Sequence, residues 1–182
     1  MPRLFLGLDL PPEVDSHLEL MSSGVPGARW EGRDKFHLTV LYLGEVDGRI
    51  YREVVDALTG LTSPAFDMTL KGVGIFPPRG APTSLWAGVA EPGPVSALRR
   101  KIDGRLRGID VTPDARKFIP HVTLARVGDS PVDAVVAYMS DHVLFRSETF
   151  RVDQLNLYSS VRTSRGSHYR IEAGFPLPTP EP

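Results

Sequence analysis

The sequence predicts an α+β fold of two pseudo-symmetric lobes, each a mostly antiparallel sheet with helices on its outer face and a cleft between them. Three observations predict it. Short apolar or alternating segments take turns with segments of helical spacing. Two tetrapeptides, His37-Leu38-Thr39-Val40 and His121-Val122-Thr123-Leu124, share one pattern of His, apolar, Thr, apolar. Their surroundings repeat as well: Phe66 and Phe150 stand at the same offset after each histidine, and Trp86 and Tyr169 at nearly the same one. The duplication divides a single bilobal domain, 1–175, into halves of roughly 1–91 and 92–175. The Pro-rich end, 176–182, is expected to be a mobile tail.

The elements follow in order. Arg3 to Leu10 is apolar and closed by Pro11-Pro12, which suits a buried strand. Glu13 to Met21 reads as a helix with Val14, Leu18 and Met21 on one side. Phe36 to Leu43 is a strand ended by Gly44, and Asp47 caps a helix carrying Ile50, Val54, Val55 and Leu58. Phe66, Met68 and Leu70 alternate as a strand; Pro77 to Pro82 is a loop before a strand from Ser84 to Ala90. Val95, Leu98, Ile102 and Leu106 mark a helix whose polar side holds Arg99, Arg100, Lys101, Arg105 and Arg107. Lys117 to Val127 is the second histidine strand. Ser130 is expected to cap a helix with Pro131 first and Val132, Val135, Val136 and Met139 inward. Phe150 to Leu157 and His168 to Ala173 are the last strands, joined by a polar turn from Arg162 to Ser167.

Composition narrows the function. Of 182 residues, 21 are Lys or Arg and 22 Asp or Glu, so the net charge is −1. Bulk electrostatic binding of long nucleic acid is thereby excluded, because it needs many uncompensated cations. The chain has no cysteine, which removes disulfides, thiol nucleophiles and cysteine zinc sites. No apolar run approaches the ~20 residues of a membrane helix, and the start does not read as a secretory signal. A cytoplasmic monomer is expected.

The two histidine segments carry the chemistry. In a strand, residues i and i+2 share a face, so each His projects beside its Thr while the apolar residues point the other way. Two imidazoles across a cleft can divide acid and base roles near neutral pH. Two hydroxyls can donate to the nonbridging oxygens of a phosphate. Together they form a metal-free site for attack at phosphorus, well suited to opening a cyclic phosphate. No third ligand falls at a metal-binding spacing, so neither metal nor other cofactor is expected. His17, His142 and His168 lie outside the repeat and read as non-catalytic.

These motifs resemble the two-histidine phosphoesterase superfamily, and within it the RNA 2',3'-cyclic phosphodiesterase (2'-5' RNA ligase) family. The resemblance covers nearly the whole chain, through RLFLGLDLPPEV at Arg3, RWEGRDKFHLTVLYLGEV at Arg29, SLWAGV at Ser84, FIPHVTLARV at Phe118 and LNLYSSVRTSRGSHY at Leu155. It implies hydrolysis of RNA 2',3'-cyclic phosphate ends to a 2'-phosphomonoester and a 3'-hydroxyl, with reversible 2'-5' joining as a second activity. By the resemblance, His37 protonates the departing 3'-oxygen, His121 activates water, and Thr39, Thr123 and Arg126 bind the phosphate. Strict alternation, however, puts Arg126 on the face opposite His121, so it reaches the site only if the strand bends. Trp30, Phe76, Trp86 and Tyr158 are candidates for contact with the terminal base, or else core residues. Arg162 and Arg165 are candidates for the preceding phosphate, and the Arg99 to Arg107 helix face is a candidate RNA patch.

The implied partners are RNA ends, short oligonucleotides or nucleotides, with no membrane. Two rival readings stand beside this one. A relative of the same superfamily would act on small cyclic nucleotides, and a noncatalytic module would bind RNA ends or nucleotides in the same cleft.

Overall fold

The computed structural model describes residues 3–111, 116–164 and 166–179. Strand β1 (Arg3–Leu8) enters helix α1 (Pro12–Met21), and β2 (Arg29–Trp30) and a short 3-10 turn precede β3 (Leu38–Glu45). Helix α2 (Gly48–Leu58) is followed by β4 (Phe66–Met68), β5 (Leu70–Phe76) and β6 (Ser84–Val89). The second half repeats the order: α3 (Gly93–Arg105), β7 (His121–Arg126), α4 (Val132–Asp141), β8 (Phe150–Val152), β9 (Gln154–Thr163) and β10 (Gly166–Pro176). The fold is α+β, as expected.

The main sheet runs β10-β9-β1-β3-β7-β6-β5, with β2 against β7, and every pairing in it is antiparallel. Its two wings meet at one pair, Leu38 with Val122, each the residue directly after a motif histidine. A small sheet of β4 and β8 repeats this symmetry, since Phe66 pairs with Val152 and Met68 with Phe150. The halves do not fold side by side as separate lobes, however. The first half's hairpin, β5–β6, lies on β7, and the second half's hairpin, β9–β10, lies on β1 beside β3. Strand β7 thus receives the hairpin of the other half directly, and β3 has the other half's hairpin on its wing one strand away, beyond β1.

The helices form where the apolar spacing put them. Val14, Leu18 and Met21 of α1, Ile50, Val54 and Leu58 of α2, and Val95, Leu98 and Ile102 of α3 are buried. They join Leu4, Leu6, Leu8, Val122 and Leu124 in one core. Burying each such side chain contributes roughly 1.5–3 kcal/mol. Asp47 caps α2 by accepting from the backbone N–H groups of Arg49 and Ile50, both at 2.8 Å. Among the described residues, no helix is long and apolar enough to cross a membrane.

Three expectations need correction. Ser130 does not cap α4: its hydroxyl is buried without a hydrogen bond, and Pro131 takes the capping position. The inward side of α4 is Val135 and Tyr138, while Val132 and Val136 are half exposed. The helix is rotated because Tyr138 reaches α1 and donates its hydroxyl to the Met21 carbonyl. The expected tail is docked as far as Pro178. Leu177 is buried with its N–H on the Asp153 carbonyl, and the Pro178 carbonyl accepts from Ala65 N–H. Thr179 is exposed, and 180–182 lie outside the described residues.

Three cations on the basic side of α3, Arg99, Lys101 and Arg105, are bonded within the fold. Lys101 and Arg105 donate to the carbonyls of Thr62 and Gly60, at 2.7 and 3.0 Å, just past the end of α2. Arg99 bonds Asp103 and the Val40 carbonyl and lies over the Phe118 ring. These three cations hold the carbonyl end of α2 and strand β3, so within the patch that the sequence suggested they serve the fold.

Candidate active site

Both histidines are fixed in the same way. His37 Nδ1 lies 2.7 Å from the Lys35 carbonyl, and His121 Nδ1 lies 2.7 Å from the Ile119 carbonyl, each two residues back. A carbonyl oxygen only accepts, so Nδ1 carries the proton in both rings. Nε2 is therefore the nitrogen that can accept or donate a proton in each. His37 Nε2 is 2.9 Å from Thr39 Oγ1. His37, Thr39, His121, Thr123 and Arg126 line one cavity of about 300 Å³ at the joint of the two wings.

Arg126 reaches that cavity because β7 bulges. Against β6, Trp86 pairs with Thr123 and Leu85 with Ala125, so Leu124 is the extra residue. A bulge reverses the alternation beyond it. Leu124 and Ala125 are consequently both buried, and Arg126 comes onto the face of His121 and Thr123. Strand β3 does the same at Val40, skipped between the pairs Gly7–Thr39 and Leu6–Leu41. The freed carbonyls are satisfied by different donors: Glu31 N–H for Leu124 and Arg99 Nη1 for Val40, both at 2.8 Å. The β3 bulge brings Tyr42 into the cavity wall at the position matching Arg126. Sequence reasoning missed Tyr42, although its offset from His37 equals that of Arg126 from His121.

The aromatic candidates divide. Trp86 and Phe76 pack against His121, at ring distances of 5.7 and 4.9 Å, the latter edge-on. Trp86 can lie flat there because Gly74 sits beneath it, where a Cβ would collide with the indole. Tyr169 meets His37 edge-on at 5.2 Å, and Phe5 lies 4.8 Å from the same ring. Tyr158 is buried, stacked on Phe5, and its hydroxyl donates to Asp9, so it supports Phe5 rather than facing the cavity. Trp30 packs on Tyr138, between the core clusters, and does not line the cavity. Arg162 does line it; Arg165 lies outside the described residues.

The electrostatics of the two histidines differ. Burial pushes the His37 pKa down, the Lys35 carbonyl opposes this, and His121 adds to the lowering. Burial also lowers His121, against the Ile119 carbonyl, with the Arg126 and Arg116 guanidiniums lowering it further. Two cations therefore stand on the His121 side, where the imidazolium is disfavoured. Among the described residues, no three of His, Cys, Asp and Glu cluster so that they could hold a metal ion.

Comparison with known proteins finds the same fold. Over the chain, the fold resembles Escherichia coli LigT in its complex with 3'-AMP, with a TM-score of 0.79 at 23% identity, covering 97% of this chain and 99% of that one. A Thermus thermophilus structure gives 0.78 at 24% identity, covering 98% and 100%. In sequence, the chain is 30% identical over 176 residues to the RNA 2',3'-cyclic phosphodiesterase of Thermotoga maritima, covering 93% of this chain and 92% of that protein. The Archaeoglobus fulgidus protein of the same name is 28% identical over 174 residues, covering 92% and 96%. The family model for the 2'-5' RNA ligase superfamily matches residues 13–163, a span that holds both histidine strands. With two such strands meeting across one cleft, the chain belongs to the 2'-5' RNA ligase superfamily.

Proposed function

We propose that the protein hydrolyses RNA 2',3'-cyclic phosphate ends to a 2'-phosphomonoester and a 3'-hydroxyl by metal-independent acid–base catalysis between His37 and His121. The observation that carries this reading is the pair of imidazoles, each locked through Nδ1, lining one cavity with two threonines and an arginine. The named relatives act on the same class of substrate. His121 Nε2 takes a proton from water as its oxygen attacks phosphorus, and the bond from phosphorus to the 3'-oxygen breaks. The His37 Nε2 proton goes to that oxygen. Thr39, Thr123 and Arg126 hold the nonbridging oxygens, whose negative charge grows as water attacks.

Two observations support this orientation. Burial, with Arg126 and Arg116 adding to it, lowers the His121 pKa and favours the neutral form that a base needs. Thr39 Oγ1, 2.9 Å from His37 Nε2, can accept a hydrogen bond from the Nε2–H that the acid must carry. With a 5'-hydroxyl in place of water, the same groups would join RNA ends through a 2'-5' bond. All of these groups come from one chain, which suits a monomer, and the reading places it in the cytoplasm.

Product analysis tests the proposal. An oligonucleotide ending in a 2',3'-cyclic phosphate, incubated with enzyme and excess chelator, should yield only a 2'-phosphate by phosphorus NMR. A 3'-phosphate overturns the orientation, and activity lost to chelator and restored by metal overturns the mechanism. Binding without product returns the protein to the noncatalytic class.

A further inference from the structure

We propose that the cleft contains a second anion subsite, formed by Arg3 and Arg162 with Lys35, that holds the phosphodiester preceding the cyclic phosphate. The inference rests on the reaction proposed above and names its substrate class: oligonucleotide ends in preference to cyclic mononucleotides.

The first step is direction. The departing 3'-oxygen stays on the terminal ribose, so the nucleoside lies on the side of the acid, His37. The attacking water comes from the opposite side, beside His121. The strand must therefore leave the site over the wing that contains β1 and β9.

The register of that wing then fixes what the strand meets. Phe5 pairs with Tyr158 and Arg3 with Ser160, so Arg3 and Phe5 share a face, and Ser160 shares it with Arg162 two residues on. Tyr169 pairs with Ser160 and Ser167 with Arg162, which continues the same face onto β10. Arg3, Ser160, Arg162 and Ser167 all line the cavity that holds the histidines. Lys35 lines it too, and its ammonium sits by the β9–β10 turn, 3.2 Å from where a Cβ on Gly166 would lie.

Charge agrees with geometry. Three cations stand on this wall, and Glu31 is the carboxylate that lines the cavity with them. Glu45 engages Arg3 through Nε at 3.2 Å, and a guanidinium carries further N–H donors for a phosphate. The surroundings of His121 are different in kind, since Trp86 and Phe76 pack against its ring. A patch of this size grips one or two phosphates, which fits a chain whose net charge is −1.

The experiment compares kcat/KM for a dinucleotide ending in the cyclic phosphate with that for the cyclic mononucleotide. The wild type should prefer the dinucleotide on the order of 10-fold, as charge-assisted contacts would give. The double variant Arg3→Gln, Arg162→Gln should lose most of that preference. A neutral methylphosphonate at the internucleotide linkage should abolish it in the wild type, without any change to the protein. An equal fall on both substrates, or a methylphosphonate dinucleotide as good as the charged one, overturns the subsite. If neither substrate is hydrolysed, the proposed reaction fails, and the same comparison made on binding affinity decides the subsite separately.

Discussion

Tyr42 and Arg126 occupy equivalent positions on the two histidine strands, each brought into the cleft by a one-residue bulge at the same place. The bulges preserve the symmetry of the backbone while the side chains break it. One strand offers a phenol and the other a cation, which separates the environments of otherwise matching histidines.

That difference should appear in the pH profile. Both histidines are lowered from 6.5, so kcat/KM is expected to be bell-shaped with its maximum on the acid side of that value. Arg126→Gln removes a charge that disfavours the His121 imidazolium, so the His121 pKa rises. The acid limb, where the neutral base is lost, then moves to higher pH. Tyr42→Arg adds a cation on the His37 side and lowers its pKa. The alkaline limb, where the protonated acid is lost, then moves to lower pH. Limbs that stay in place in both variants would separate these histidines from the profile.

Loss of either histidine should be severe. His37→Ala and His121→Ala are each expected to reduce kcat by roughly 10²–10⁴-fold, the scale of one acid–base group. The double variant should fall far short of the product of the two, because the pair acts as a unit. Circular dichroism should report intact folds, since neither side chain belongs to the apolar core. A folded His121→Ala enzyme with near-normal kcat would make the second motif structural.

Gly74→Ala tests the support of His121 from behind. A methyl at this position would strike the Trp86 ring, which packs against both Phe76 and His121. The expected result is a loss of about 1–3 kcal/mol of stability, as for other overpacked sites, with a change in tryptophan fluorescence and a fall in kcat. Denaturant melts and kinetics on the same preparation check both parts. Unchanged fluorescence and kcat would mean that the ring can move without consequence.

Asp15 offers a stability test away from the cleft. Burial raises its pKa to about 6, with Arg33 opposing and Asp9 reinforcing the shift, and its Oδ1 is buried without a partner. A carboxyl with a raised folded pKa destabilises the protein as pH rises through the interval between its unfolded and folded values. Asp15→Asn should therefore raise Tm at pH 8 and leave it nearly unchanged at pH 4. Equal Tm values for the two proteins at both pH values would refute the shift.

Local signals in the chain were enough for the positions of the helices and of the histidine strands. Apolar spacing and the Asp47 cap act over a few residues, and alternation from i to i+2 already puts each His beside its Thr. Arg126 and Tyr42 show where local reading stops. A bulge inserts one residue into a pairing register, and nothing in Val40 or Leu124 distinguishes it from a regular strand residue. Only the partner strands, β1 and β6, reveal the slip. The exchange of hairpins was hidden for the same reason. Trp86 and Tyr169 were visible as repeat equivalents, but antiparallel pairing between distant segments decided that each ring packs against the histidine of the other half. Long-range pairing also decided the fate of the α3 cations, since the carbonyls of Thr62, Gly60 and Val40 come near them only once α2 and β3 have packed.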